Sequence, residues 1–403
     1  MLLLGRDRET PLHPGLTDAD ADALFEEARR RQRRRWALRI TIACVVLGGS
    51  AAITVLARSG ETLRGARATG AAARITLPTG PLATLRVAGP LAVGPTGALY
   101  VADVAAHRVL VRLPGGRFRV VAGTGTAGFS GDGGPAVRAR LSSIVDLAFS
   151  PSGSLYVVDG GRVRVIDRRG VIRTVAGNGQ PTTTPIKSGT PPRDAALGSL
   201  STASGNPLSI AVSPSGQLYI ATGLTQRAPS QLLRLSNGTL TNIRAVEASG
   251  IFKGRVVQEI GRVAVDARGN IYTSGGDGGW VVWQITPHGA AYQVRSGSFA
   301  ASQARRSGGN YSVLERSPSG AVYAEDGPDM RRIQGHRFVQ ALPVIDPIRG
   351  ETFWLTYFAF APNGTIYADE IPGGGGFEAH QQLIAFRGAH ATLLWQEHNK
   401  TPR

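Results

Sequence analysis

Residues 118–136 read FRVVAGTGTAGFSGDGGPA. Gly123, Gly125 and Gly128 form G-x-G-x-x-G behind a strand-like run, a spacing that lets a backbone close on a pyrophosphate. That chemistry needs a helix after the third glycine, its N-terminus facing the phosphate. FSGDGGPA follows instead, a run too rich in glycine and proline for a helix. The segment therefore reads as a connecting loop, and no nucleotide is expected. Other chemistry-bearing types are sparse. SGDGGP, which contains Asp132, and GGDGGW each offer one carboxylate, too few for a strong calcium loop. Seven histidines are scattered without H-E-x-x-H, and G-x-S-x-G does not occur. The single cysteine, Cys44, excludes an intramolecular disulfide and zinc sites of the two-cysteine, two-histidine type. No catalytic constellation emerges, and no cofactor is expected from these residues.

The elements that would position a site must be sought in the remaining chain. Its 403 residues suffice for one large or two ordinary domains. The 53 glycines and 24 prolines are distributed in turn-like dipeptides, as in a protein of many short strands. The net charge is +17, nearly all the basic residues being arginine, with lysine only at 187, 253 and 400. Such a balance attracts anionic partners, although arginine bias is also what a GC-rich genome produces. Outside the N-terminus no stretch concentrates the charge as a nucleic-acid-binding arm would, so nucleic acid is not an expected partner.

Residues 36–57, WALRITIACVVLGGSAAITVLA, are apolar apart from Arg39. As a helix they extend roughly 33 Å, enough to cross a bilayer core. Six arginines lie just upstream, between Arg29 and Arg35, which places the N-terminus in the cytoplasm and the chain after residue 57 outside. Residues 1–35 are expected to be a cytosolic basic segment with a short helix, and 58–74 a flexible stalk. Ala57 resembles a signal-peptidase position, but the long charged leader favours an uncleaved anchor.

From residue 75 the chain repeats. Six decapeptides align without gaps: LAVGPTGALY, LAFSPSGSLY, IAVSPSGQLY, VAVDARGNIY, LERSPSGAVY and FAFAPNGTIY, ending at Tyr100, Tyr156, Tyr219, Tyr272, Tyr323 and Tyr367. Glycine is seventh and tyrosine tenth in all of them. Apolar alternation runs into a Pro- and Gly-containing turn and resumes, the grammar of a hairpin. A second hairpin follows each time. Two hairpins make a four-stranded antiparallel sheet, and a period near 50 residues signals a radial array. The expected fold class is all-β, a six-bladed β-propeller of four-stranded antiparallel blades over residues 75–403, preceded by one transmembrane helix.

These motifs resemble NHL repeats, most clearly over residues 91–179, where LYVAD…HRVLVRL, TVAGNG and the link GFSGDGGPA occur. The resemblance covers most of residues 85–403 and weakens in later blades, where Asp103 and Asp159 of the pattern become Thr222 and Gly275. It implies a propeller similar to the outer sensor domains of actinobacterial receptor Ser/Thr kinases, here without a kinase.

In such a blade both hairpin turns lie on one face of the disc, and the crossings between blades lie on the other. The turns are minimal, whereas the crossings at 123–144, 177–207, 246–260, 297–312 and 343–356 are long and varied. Binding residues concentrate on variable loops held by a rigid scaffold. The candidates are Asp132, Lys187, Arg193, Asp194, Arg349, Glu351 and Trp354. The reading is a single-pass, membrane-anchored extracytoplasmic module recognising a protein, glycan or anionic envelope polymer. The alternative is an enzyme. Other six-bladed propellers, such as metal-dependent lactonases, hold a divalent cation in the central channel on carboxylate and Asn ligands. Asp146, Asn206, Glu259 and Glu315 lie near inner-strand starts on four blades and are the candidate ligands, or else solvated polar residues of a wet channel.

Overall fold

The structure is a computed structural model that describes residues 77, 79–198, 208–222, 230–249, 253–257, 260–275, 281–294, 314–326, 329–343, 354–371, 381–387 and 390–396. The chain divides into two compact units, Met1–Gly70 and Ala71–Arg403, and all of these residues belong to the second. The expected membrane span at 36–57, its cytosolic leader and the stalk lie outside the described residues. Among the described residues no helix is long and apolar enough to cross a membrane.

Six antiparallel sheets follow one another along the chain, each with its strands hydrogen-bonded in sequence order from an inner to an outer strand. The inner strands are Ala88–Val93, Ile144–Phe149, Ser209–Val212, Val263–Val265, Leu314–Arg316 and Trp354–Phe360. Each decapeptide is the end of an inner strand, a turn and the start of the second strand. In every copy the seventh residue, glycine, has φ between 82° and 85°. Side-chain-bearing L-residues reach that region only at a cost, which is why glycine never varies there. The turn closes on the fourth residue: Gly153 N–H donates to Ser150 O and Ser150 N–H to Ser154 O, both at 2.9 Å.

Two blades depart from the four-stranded expectation. Leu82–Ala83 pairs antiparallel with Phe118–Arg119, so the segment before the first repeat becomes a fifth, outermost strand of blade one. Val246–Glu247 runs parallel to Ala290–Ala291 and does the same for blade four. Both pairings occupy outer edges, where a sheet otherwise leaves N–H and C=O groups unpaired.

The core is divided among the seams. Side chains alternate between the two faces of each sheet, so each blade has one apolar face for each neighbour. Ala92 and Tyr100 of blade one pack with Leu147 and Leu155 of blade two, and Ala211 and Tyr219 of blade three with Val263 and Ile271 of blade four. Corresponding clusters join blades two and three, four and five, and five and six. The last cluster joins Leu91 and Leu99 of blade one to Ala359 and Leu383 of blade six and so closes the ring. Burying a leucine such as Leu155 completely contributes about 1.5–3 kcal/mol. Blade six takes all four of its strands from residues 354–396, so closure is by packing and not by an exchanged strand. Polar contacts reinforce it: Gln381 Nε2 donates to Ala88 O at 2.7 Å, and Trp395 Nε1 to Leu85 O at 3.2 Å.

Candidate functional site

The six inner strands enclose a central cavity of about 390 Å³. The residue immediately before each decapeptide varies: Pro90, Asp146, Ser209, Arg262, Val313 and Tyr357. Four of these, Asp146, Ser209, Arg262 and Tyr357, line the cavity, joined by Glu315 from within the fifth repeat. They sit where the inner strands begin, toward the face that carries the crossings.

Asp146 is 13% exposed and anchors two strands. Its Oδ1 accepts from Leu147 N at 2.9 Å, and its Oδ2 from Ile210 N of the next blade at 2.8 Å. The guanidinium of Arg262, 12% exposed, lies 3.8 Å from Asp146 Oδ1 and 4.6 Å above the Tyr357 ring. Burial raises the Asp146 carboxyl above its ordinary pKa, more than Arg262 and the backbone donors lower it. Glu315 is raised as well, to about 8, by burial and then by the charge of Asp146, with Arg316 and Arg262 offsetting only part. Near neutral pH this corner of the channel therefore holds a protonated Glu315 beside the charged Arg262.

Of the four candidate metal ligands, Asp146 and Glu315 share the cavity, while Asn206 and Glu259 lie outside the described residues. Among the described residues no three His, Cys, Asp or Glu side chains gather where one ion could sit. Arg262, Tyr357 and Ser209 are cavity residues that motif reading passed over. Aligning the column just before the repeat exposes them, because it is the one inner-strand position whose character changes from blade to blade.

The rim candidates do not converge on one site. Asp132 is 34% exposed in its side chain and faces inward to Arg164, which is wholly buried. Its Oδ1 accepts from Arg164 Nη2 at 2.7 Å and Nε at 3.1 Å, and its Oδ2 from Thr174 N at 2.9 Å. Partial burial raises its pKa, but the Thr174 and Arg164 hydrogen bonds and the Arg164 charge outweigh this and hold it below the ordinary value. Asp132 thus pins the GFSGDGG loop to blade two. Lys187 is exposed beside blade three, where Ser188 Oγ accepts from Asn242 N at 2.9 Å and Gly189 N–H donates to Leu240 O at 2.8 Å. Arg193 and Asp194 are exposed on a short 3₁₀ turn, Pro192–Asp194, next to Gly177 and Asn178 of blade two. Trp354 is not in the crossing at 343–356: it opens the inner strand of blade six, opposite Ile371. Arg349 and Glu351 lie outside the described residues.

The glycine spacing has a packing cause. Gly123 has φ 94°, and a Cβ there would collide with the His107 carbonyl and lie 2.9 Å from the Arg108 Cα. Gly125 lies under the Arg108 guanidinium, whose Nη2 donates to Thr124 O at 3.0 Å. Blade two repeats the arrangement: Gly177 meets Gly161–Arg162, Gly179 meets the Arg162 guanidinium, and Arg162 Nη2 donates to Asn178 O at 2.7 Å. A crossing can leave the outer strand this close to the preceding loop only where Cβ is missing. His107 completes the join, its Nδ1 2.5 Å from Ser142 O at the entrance to blade two. Asp103 and Asp159 tie the second strands to the incoming chain: Asp103 accepts from Arg86 N and Val87 N, and Asp159 from Ser142 N at 2.6 Å.

Comparison with known proteins agrees with this repeat grammar. The family described as Teneurin NHL domain matches residues 116–191, the segment that contains both the glycine pairs and the Asp132–Arg164 pin. This chain is a six-bladed β-propeller with NHL-type repeats over residues 116–191. Teneurin-3 of Mus musculus is 38% identical over 96 residues, which are 21% of this chain and 4% of that protein. Teneurin-3 of Danio rerio is 36% identical over the same length. The matched segment thus spans about 4% of the length of these curated relatives. Among solved structures, a streptogramin B lyase aligns with a TM-score of 0.45 at 11% identity, covering 80% of this chain and 89% of the other. A structure described as a putative gluconolactonase aligns with a TM-score of 0.44 at 15% identity, covering 72% and 87%.

Proposed function

We propose that this NHL propeller is a recognition module, anchored by residues 36–57 with its N-terminus in the cytoplasm, that binds an extracytoplasmic protein, glycan or anionic envelope polymer through its crossings. The observation that carries this reading is the crossing after blade two. Its described part, residues 177–198, is stapled by the backbone: Gly177 N–H donates to Pro192 O at 2.8 Å, Asn178 N–H to Ala195 O at 2.9 Å, and Gly198 N–H to Gln180 O at 2.8 Å. Gln231 of blade three clasps Ile186 from both sides, Oε1 accepting from its N–H at 2.7 Å and Nε2 donating to its O at 3.0 Å. Lys187, Arg193 and Asp194 nevertheless project to solvent. Charged side chains on a pre-ordered loop suit recognition, because little entropy remains to be lost on binding.

The metal-dependent, lactonase-like alternative is supported by Asp146 and Glu315 sharing the cavity. Arg262 stands against it, since its guanidinium already faces the carboxylate a divalent cation would need. The test is site-specific photo-crosslinking of the full chain in its own membrane, with the crosslinker at Arg193 or Lys187 and, as control, at Arg168 or Ser215 on the hairpin turns. Adducts from the crossing positions alone are expected. Adducts from the turns alone, or metal-dependent lactone hydrolysis lost in Glu315→Gln, would overturn the reading.

A further inference from the structure

Glu315 departs from the pattern of its own repeat. At the second place of the decapeptide, opposite the tyrosine, the other five blades carry Ala92, Ala148, Ala211, Ala264 and Ala359. The fold asks only for a methyl group there. Blade five supplies a carboxyl group opposite Tyr323, at the wall of the central cavity.

The charges of Arg316 and Arg262 compensate the burial of Glu315 only in part. Asp146 is engaged by the Ile210 and Leu147 N–H groups, and Arg262 faces Asp146 while resting on Tyr357. Among the described residues no cation forms an ion pair with Glu315, and the Arg316 backbone N–H is its donor. The walls nearby are aromatic. Phe360 lies 4.8 Å from Tyr323, and Phe358 lies 5.6 Å from Phe360. Tyr357 shows what such a ring accepts here, since it already carries the Arg262 guanidinium at 4.6 Å.

A carboxyl group beside aromatic faces, in a cavity large enough for a small molecule, is the donor set for an organic ammonium ion. The ammonium ion displaces the proton that Glu315 otherwise holds, its nitrogen pairs with the resulting carboxylate, and the polarised C–H groups around it lie on the rings. A hard divalent cation needs six or more oxygen ligands, and the described residues bring no three acidic or histidine ligands together. A free anion would face two carboxyl groups beside the guanidiniums of Arg262, which already has a partner, and Arg316. We propose that the channel binds an organic ammonium ion, with its charge on Glu315 of blade five and its body against the aromatic residues that blade six brings to the cavity, Tyr357, Phe358 and Phe360. This goes beyond recognition at the crossings and stands or falls separately from it.

The test is calorimetric titration and thermal unfolding of the full chain in detergent with benzylamine, butylamine and putrescine. Benzyl alcohol and benzoate serve as neutral and anionic controls, and Ca²⁺ and Mg²⁺ as the metal arm. The amines should bind and raise the unfolding midpoint, and the controls should do neither. Glu315→Ala installs the residue five other blades tolerate, so it should fold normally and weaken amine binding at least tenfold. Glu315→Gln, which keeps the shape without the charge, should do the same. Equal binding of benzyl alcohol, amine binding unchanged in both variants, no amine binding at all, or stabilisation by divalent cations alone would overturn the proposal.

Discussion

The guanidinium of Arg164 is wholly buried and lies 2.7 Å from the carboxylate of Asp132, across 32 residues of sequence. It also reaches Asp159, itself fully buried, at 3.2 Å, and donates to Ser130 O and Arg140 O at 2.8 Å and 3.0 Å. One cation in blade two therefore holds the loop that enters that blade.

Removing either acid should be costly, but unequally. Asp159→Ala leaves a buried guanidinium with a single carboxylate and should destabilise by about 3–5 kcal/mol. Asp132→Ala acts where water can partly replace the carboxylate and should cost about 1–3 kcal/mol. Urea unfolding of the two variants checks the order, which a purely superficial role for Asp132 would not produce.

Glu315 gives the fold a distinctive pH dependence. Its folded-state pKa of about 8 lies above its ordinary 4.5, so the folded state holds the proton more tightly. That stabilisation is complete below the ordinary value and is lost as pH climbs through about 8. The wild type should therefore lose stability between mildly acidic and mildly alkaline pH relative to Glu315→Ala. Comparing the urea midpoints of the two proteins across that range isolates the residue from all other titrating groups.

Gly123→Ala and Gly216→Ala separate strain from collision. Both glycines have positive φ, 94° and 83°, but only Gly123 has backbone where a Cβ would fall. Gly216→Ala should cost about 1 kcal/mol for backbone strain alone. Gly123→Ala should cost more than twice as much, because the crossing must also move off His107 and Arg108. Matched thermal melts of the two variants provide the comparison.

Ring closure depends on few polar contacts. Gln381 Nε2 bridges Ala88 O of blade one and Asp369 Oδ2 of blade six, at 2.7 Å and 2.8 Å. Gln381→Ala should destabilise by about 1–3 kcal/mol. Hydrogen exchange should quicken in Ala88–Val93 and Trp354–Phe360 before it changes in blades three and four.

Much of the architecture was legible because it is written in a column. A glycine that must adopt positive φ and a tyrosine three residues after it recur in every blade, so spacing alone yielded six sheets. The two extra edge strands were not legible, since Leu82–Ala83 and Val246–Glu247 are each two residues long and carry no alternation. The site was half legible. Asp146 and Glu315 are carboxylates at inner-strand starts and were seen as such. Arg262 was not, because a lone arginine in an arginine-rich chain carries no signal until the fold sets it against Asp146. The pairing of Asp132 was not legible for the converse reason: its partner Arg164 is hidden in a strand of the next blade.

Each blade shares its core with two neighbours, and the seam between the first and last blades is built like the other five. The order in which the blades are synthesised is then an accident of where the chain happens to be cut. Joining the ends of the propeller and opening it in another crossing should give a circular permutant with the same ring, the same channel and a seam in a new place. Covalent continuity matters least at the point where chain ends usually seem most important.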